Sequence, residues 1–102
     1  MNKYFSRLTN EVCRWKWQAD IIMVRKTLHL ELASDRFLVI NEMPYNTDQL
    51  VMFDTYCDKD MNFHTKTYYV SNNRTYHRAC EAIYNLSEDF AVALEPQKVV
   101  VT

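Results

Sequence analysis

The most unusual feature of this 102-residue sequence is that it contains no glycine, whereas an average protein contains about 7%. Glycine allows the backbone to approach a phosphate group closely and to adopt positive φ angles. Walker loops, dinucleotide-binding fingerprints and G-x-S-x-G nucleophile elbows all need it at fixed positions. The sequence therefore excludes these three kinds of site as they are normally built.

Long hydrophobic runs and a regular cysteine pattern are also missing. No stretch approaches the ~20 apolar residues that a membrane-spanning helix needs, and Lys3 and Arg7 interrupt the apolar segment of a secretory signal peptide. Cys13, Cys57 and Cys80 are an odd number of cysteines without paired spacing. These absences predict a cytoplasmic protein with reduced thiols and no membrane partner.

The overall charge gives no strong indication of a nucleic-acid partner, because the formal net charge is only −1. Its distribution is uneven. Residues 1–36 carry seven basic and four acidic side chains, whereas residues 37–70 carry two basic and five acidic ones. The sequence therefore predicts a basic N-terminal surface and a separate acidic one.

The segment from Ser71 to Leu94 has the strongest helical periodicity in the chain. Its apolar side chains fall on one side of a helical wheel, which predicts a helix with one buried and one exposed face. Asn72 and its neighbours offer acceptors to the first turn, and Pro96 forces the preceding residue out of the helical region. The predicted buried positions are Tyr76, Ala79, Cys80, Ile83, Leu86, Phe90 and Leu94.

Residues 3–19 predict a second amphipathic helix, because apolar residues cover about a third of its wheel. Trp17 falls on the polar side of that wheel. Either the helix ends before Trp17 or the indole is exposed, and a strand over Val12–Gln18 is the alternative. The predicted buried positions are Tyr4, Phe5, Leu8, Val12, Trp15 and Ala19.

Between these two segments the sequence changes to the two-residue period of strands. One predicted hairpin joins a strand from Ile21 to Leu32 with a second strand over Phe37–Ile40. Another joins Leu50–Cys57 with Asn62–Val70, where β-branched and aromatic residues are frequent. The polar segment Asn41–Asp48 predicts the loop between the hairpins.

The order of elements is therefore α-β-β-β-β-α, to which Val99–Val101 adds an optional edge strand. We expect residues 1–102 to form a single α+β domain, in which an antiparallel four-stranded, two-hairpin meander carries two amphipathic helices on one face. An apolar content of 48% is sufficient for such a core without a metal ion or a disulfide.

A metal site is the first functional hypothesis. His77 and Cys80 are three residues apart on the predicted helix, and Cys57 and His64 bracket the turn of the second hairpin, so all four are weak candidate ligands. The alternative is that Cys80 is a buried apolar residue. Asp58, Asp60 and Asn62 resemble the start of a calcium loop, but its required glycine and glutamate positions hold Phe63 and Tyr69.

Catalysis has no firm starting point in this sequence. His29 with His64, or His77 with Cys80, are conceivable reactive pairs, but no spacing demands either of them. No glycine-bearing oxyanion loop is present. We therefore predict a protein that is not an enzyme and has no cofactor.

Binding of single-stranded nucleic acid is the alternative function. Phosphate contacts need clustered cations, and bases stack on aromatic side chains. The N-terminal third of the chain supplies both kinds of residue, although acidic residues dilute its charge. The predicted contact residues are Lys3, Arg7, Arg14, Lys16, Trp17, Arg25 and Lys26.

Binding of another protein, or of a second copy of this chain, is the preferred prediction. Two helices cover only one face of a sheet, and the tyrosine and methionine residues of the second hairpin exceed what a small core needs. Size and composition are typical of accessory proteins of phages and other mobile elements, which inhibit a host enzyme or defence complex in the host cytoplasm. The predicted partner-binding residues are Trp17, Asp54, Tyr56, Asp58, Asp60, Met61 and Tyr68.

Overall fold

A computed structural model describes residues 2–33, 35–43 and 46–92 of the chain. The strands β2 to β6 form a five-stranded antiparallel meander in which each strand pairs with the next, and β1 and β7 form a separate antiparallel pair. The elements are α1 (Lys3–Cys13), β1 (Lys16–Trp17), β2 (Ile21–Val24), β3 (Thr27–Ala33), β4 (Arg36–Met43), β5 (Asn46–Cys57), β6 (Phe63–Val70), α2 (Asn73–Phe90) and β7 (Ala91–Val92).

The α+β class and the antiparallel sheet are confirmed, but the sheet has five strands where four were predicted. The segment predicted as one strand from Ile21 to Leu32 is divided by a turn at Arg25 and Lys26, so that Val24 pairs with Thr27. Arg25 has a φ of 55°, a conformation that glycine or asparagine normally supplies in two-residue hairpin turns. An arginine at that position gave no indication of a turn.

The loop predicted over Asn41–Asp48 is also largely wrong, because β4 continues to Met43 and β5 begins at Asn46. Two polar residues of this segment are bonded inside the fold. Asn41 accepts a 2.9 Å hydrogen bond from the Thr27 hydroxyl, and Glu42 is buried, where it accepts the backbone N–H of Asn2. Polar side chains that find partners in the sheet do not mark a loop.

The first helix ends at Cys13 rather than at residue 19. Trp17 lies in β1, which pairs with β7, and its indole is buried and donates a 2.8 Å hydrogen bond to the carbonyl of Val12. The prediction that the helix ends before Trp17 is therefore confirmed, and the alternative strand over Val12–Gln18 is found only at Lys16 and Trp17.

The second helix begins after Asn72, as predicted, and is capped reciprocally. The Asn72 side chain accepts the backbone N–H of Thr75, and the Thr75 hydroxyl accepts the backbone N–H of Asn72. This helix ends at Phe90, earlier than predicted, because Ala91 and Val92 turn into β7. The predicted positions Leu94 and Val99–Val101 lie outside the described residues.

The hydrophobic core lies between the helices and one face of the sheet. Because directly opposite residues of antiparallel strands point to the same face, the strand register identifies that face, which we call the core face. The core cluster joins core-face residues to buried residues of both helices. Its strand members are Leu28, Leu30, Leu32, Leu38, Ile40, Leu50, Met52 and Val70, and its helix members include Leu8, Val12, Ala79, Ile83 and Leu86.

In the part of the chain that the structure describes, neither helix is long and apolar enough to cross a membrane.

Candidate functional site

The four weak candidate ligands do not form a metal site. His64 lies beside Asp58, with 2.7 Å between its Nε2 and Oδ2 of that residue. Burial raises the pKa of the Cys80 thiol, which disfavours the thiolate that metal ions bind. Among the residues described here, no three histidine, cysteine or acidic side chains are placed to hold an ion. The hypothesis of a site built from Cys57, His64, His77 and Cys80 is therefore wrong.

The histidine pair suggested for catalysis is also separated. His29 of β3 lies opposite Val39 of β4, and His64 of β6 lies opposite Tyr56 of β5. The strand register places the first pair on one face of the sheet and the second pair on the other face. His29 and His64 cannot act on one substrate atom across the sheet. On α2, the edge of the His77 ring contacts Tyr76, and Tyr76 is also the hydrogen-bond partner of Cys80.

A groove of about 640 Å³ lies between the outer sides of the two helices. Glu11 of α1 contributes to its wall, and the guanidinium of Arg14 lies 3.1 Å from the carboxylate of Glu11. The groove thus presents an ion pair and polar helix side chains to solvent. Its lining residues are Glu11, His77, Cys80, Glu81, Tyr84 and Asn85.

The predicted nucleic-acid surface lacks its main stacking residue, because Trp17 is buried in the core. Two of its cations are paired with carboxylates: Arg14 with Glu11, and Lys26 with Glu42 at 3.4 Å. The remaining members of the predicted set, which are exposed, are Lys3, Arg7, Lys16 and Arg25.

A continuous row of polar and aromatic contacts crosses β4, β5 and β6 on the core-face side. The Arg36 guanidinium lies 3.0 Å from the Asp54 carboxylate and 5.5 Å from the ring centre of Tyr56. Tyr56 stacks on His64 with 5.0 Å between ring centres, and His64 contacts Asp58. The row therefore links an inner ion pair to the turn between β5 and β6.

Three of the predicted partner-binding residues are less accessible than expected. Trp17 is buried, as described above, and so belongs to the core rather than to a docking surface. The Asp54 side chain is only 14% exposed, and burial raises the pKa of its carboxyl while Arg36 and Lys66 oppose that rise. Tyr68 is half-buried against the core. Strand alternation places Asp54 and Tyr68 on the core face, and the pairing of β1 with β7 places Trp17 in the core. The sequence-based count of aromatic and acidic residues did not consider either effect.

The other four predicted residues lie together at the turn between β5 and β6. With Phe63 they form a surface that we call the hairpin tip: Tyr56, Asp58, Asp60, Met61 and Phe63. Met61 is 80% exposed and has a φ of 68°, and Tyr56 and Phe63 are also exposed large side chains. Exposed apolar and acidic side chains are thus gathered at one end of the sheet, where the register puts Tyr56 on the core-face side and Phe63, opposite Cys57, on the other side.

Asp58 organises the backbone of this turn. Its Oδ1 accepts the backbone N–H groups of Asp60 and Asn62 at 2.9 Å each, and its Oδ2 contacts His64. The hydrogen bond with His64 is the largest of the contacts that hold the pKa of the Asp58 carboxyl below its usual value. Asp58 therefore fixes the tip, whereas Asp60 and Met61 are exposed at its surface.

The second face of the sheet carries a further apolar surface. Ile22, Val24 and Tyr69 are each more than half exposed, Phe37, Val39 and Phe53 are half-buried, and none of the six belongs to the core cluster. We call this surface the open face, and the strand register assigns to it Ile22, Val24, Thr27, His29, Glu31, Phe37, Val39, Asn41, Val51, Phe53, Thr55, Cys57, Phe63, Thr65, Thr67 and Tyr69.

The contribution of β2 to the open face was not predicted. Ile22 and Val24 were assigned to a single long strand whose turn at Arg25 went unrecognised, and that turn makes β2 an edge strand. The run of four apolar residues from Ile21 to Val24 was the signal, because a strand that is apolar on both faces has apolar surface on each of them.

Comparisons with known protein families, with curated proteins and with solved structures found no match to this chain. The contacts, exposure and charges of the described residues are therefore the physical basis for assigning a function.

Proposed function

We propose that this protein is a non-enzymatic module that binds another protein through the hairpin tip. The observation that carries the proposal is the side chain of Met61, which is 80% exposed at a positive φ. Left-handed backbone costs a non-glycine residue about 1–2 kcal/mol. A large apolar side chain displayed to solvent at that cost is typical of a contact residue rather than of a turn alone.

The neighbours of Met61 give the hairpin tip the composition of an interface centre. Phe63 and Tyr56 are exposed aromatic residues on the two strands that leave the turn, and aromatic and methionine side chains are enriched where proteins bind one another. Asp60 adds an exposed carboxylate at the rim. The partner that fits this surface has an apolar pocket bordered by basic groups.

The hairpin tip is ordered before it meets a partner. Asp58 accepts two backbone N–H groups and contacts His64, and the backbone N–H of Asp58 donates to the carbonyl of Asn62 at 2.9 Å. Binding energy is therefore not consumed by ordering the turn, because its conformation is already fixed.

Nucleic-acid binding receives less support from the same structure. The indole of Trp17 is buried and cannot stack on a base, and the charges of Arg14 and Lys26 are engaged by Glu11 and Glu42. Exposed cations alone give weak, non-specific binding. Inhibition of a host enzyme or defence complex, as by small phage proteins, stays a prediction from composition.

A capture experiment with two glycine variants tests the proposal. Met61→Gly removes the exposed side chain and suits the positive φ of that position, and Arg25→Gly makes the same backbone change at the other positive-φ residue. Immobilised parent protein and Arg25→Gly are expected to retain one stoichiometric protein from a lysate of the cells in which the gene acts. Met61→Gly is expected to lose it while its thermal unfolding remains cooperative.

Two results contradict the proposal. One is equal retention of the partner by Met61→Gly and the parent, because the hairpin tip would then not be the contact. The other is binding of a labelled single-stranded oligonucleotide that weakens steeply with salt and is reduced by Arg25→Gly, because this assigns the function to the basic N-terminal surface.

A further inference from the structure

The structure assigns the open face to a second copy of this chain: we propose that two copies pack open face against open face as a homodimer. This surface shares Phe63 with the hairpin tip, but its centre lies on β4 and β5 away from Met61, so the inference goes beyond the proposed function. It begins from Phe37, Val39 and Phe53, which run across the centre of the open face outside the core cluster. An antiparallel sheet can leave a polar face to water, whereas an exposed apolar centre is typical of an interaction surface.

The dimensions of the open face match what a small dimer needs. Neighbouring strands lie about 4.8 Å apart and each residue extends a strand by about 3.3 Å, so five strands that average about eight residues present about 600 Å². Two such faces together bury roughly 1,200 Å², where stable protein interfaces begin. Each copy also supplies the half-exposed side chains of Ile22, Val24 and Tyr69 at the edges.

Two polar side chains of β3 favour a second copy as the partner of the open face. Glu31 supplies a carboxylate, and His29, whose imidazole can hydrogen-bond to a carboxylate, lies two residues away. A two-fold axis that crosses the strands between them brings each His29 opposite the second copy's Glu31, because rotation about that axis reverses the strand direction. The same operation therefore gives each Glu31 carboxylate an imidazole partner from the other copy. The threonines that fill much of the remaining face are neutral.

Sedimentation equilibrium of the purified full chain tests the inference. The parent is expected to approach twice the chain mass of 12.3 kDa as its concentration rises. Val39→Lys places a cation at the centre of the face and is expected to give a monomer with an unchanged circular dichroism spectrum. His29→Glu places like charges opposite one another and is expected to weaken dimerisation about tenfold. The exchange His29→Glu with Glu31→His is expected to restore most of that loss.

Three results overturn the inference, and none of them depends on whether Val39→Lys folds. A parent protein that stays monomeric up to millimolar concentration has no such interface. A dimer that His29→Glu leaves unchanged uses another surface, for example the free edge of β6. A dimer that Met61→Gly dissociates is held by the hairpin tip instead, whereas the inference expects this variant to dimerise like the parent.

Discussion

The two faces of the sheet differ in what covers them, although the same strands build both. In β4, Leu38 and Ile40 are inaccessible and belong to the core cluster with both helices, whereas Phe37 and Val39, which alternate with them, are half-buried and outside it. Adjacent residues of one strand thus have different surroundings. The core face provides most of the stability of the fold, whereas we propose the open face and the hairpin tip as contact surfaces.

A charge introduced under the helices gives the largest expected effect. Ile83 of α2 is 1% exposed in the core cluster, so Ile83→Asp buries an unpaired carboxylate, whose cost is comparable to the whole stability of about 5–15 kcal/mol for a small domain. We expect this variant to be unfolded at room temperature, as measured by circular dichroism.

The matched control is Asn85→Asp, which adds the same charge to an exposed position of α2. It is expected to change the free energy of unfolding by less than about 0.5 kcal/mol. If Ile83→Asp melts like the parent, α2 does not turn this residue toward the sheet.

Truncation of two neighbouring residues of β4 compares the faces directly. Leu38→Ala leaves a cavity in the core and is expected to lower the free energy of unfolding by about 2–5 kcal/mol. Val39→Ala, measured as monomer in the same urea titration, is expected to lower it by less than about 1 kcal/mol because its side chain is half solvated. Equal losses in the free energy of unfolding at Leu38 and Val39 would mean that another part of the same chain covers the open face.

The smallest effect concerns two aspartates whose pKa values shift in opposite directions. Burial raises the pKa of Asp54, so its contribution to stability is present below pH 3.8 and is lost as pH rises through the folded pKa. Hydrogen bonds lower the pKa of Asp58, so its contribution is present above pH 3.8 and is lost as pH falls through the folded pKa. Carboxyl NMR titration is expected to give a higher midpoint for Asp54 than for Asp58.

Asp54→Asn provides the control for this comparison. It is expected to remove the higher NMR titration midpoint, which belongs to Asp54, and to leave the lower midpoint of Asp58 in place. A reversed order of the two midpoints contradicts the assignment of Asp54 to the interior and of Asp58 to the turn.

Local patterns predicted the elements that local interactions determine. The periodicity and capping residues around Asn72 predicted the start and the buried face of α2, because a helix bonds to itself within four residues. The hairpin of β5 and β6 was predicted from a two-residue period on each side of the polar turn at Asp58. In both cases the signal lies within the segment that adopts the structure.

The errors come from contacts between distant segments. Trp17 is buried because β1 pairs with β7, more than 70 residues later in the sequence, and the wheel of residues 3–19 contains no information about that pairing. Asp54 and Tyr68 are shielded because the helices cover the core face rather than the open face. The turn at Arg25 was missed because a glycine-free chain forms positive-φ turns without the residues that usually mark them.

The central claim is that the contact surface is energetically separable from the fold, and the Met61→Gly variant tests it most directly. Its affinity for the captured partner, measured by titration calorimetry, is expected to fall by more than about tenfold. In the same preparation, the free energy of unfolding is expected to stay equal or to rise by up to about 1 kcal/mol, because glycine relieves the positive φ. An affinity equal to that of the parent, or a loss of affinity explained by unfolding, contradicts the claim.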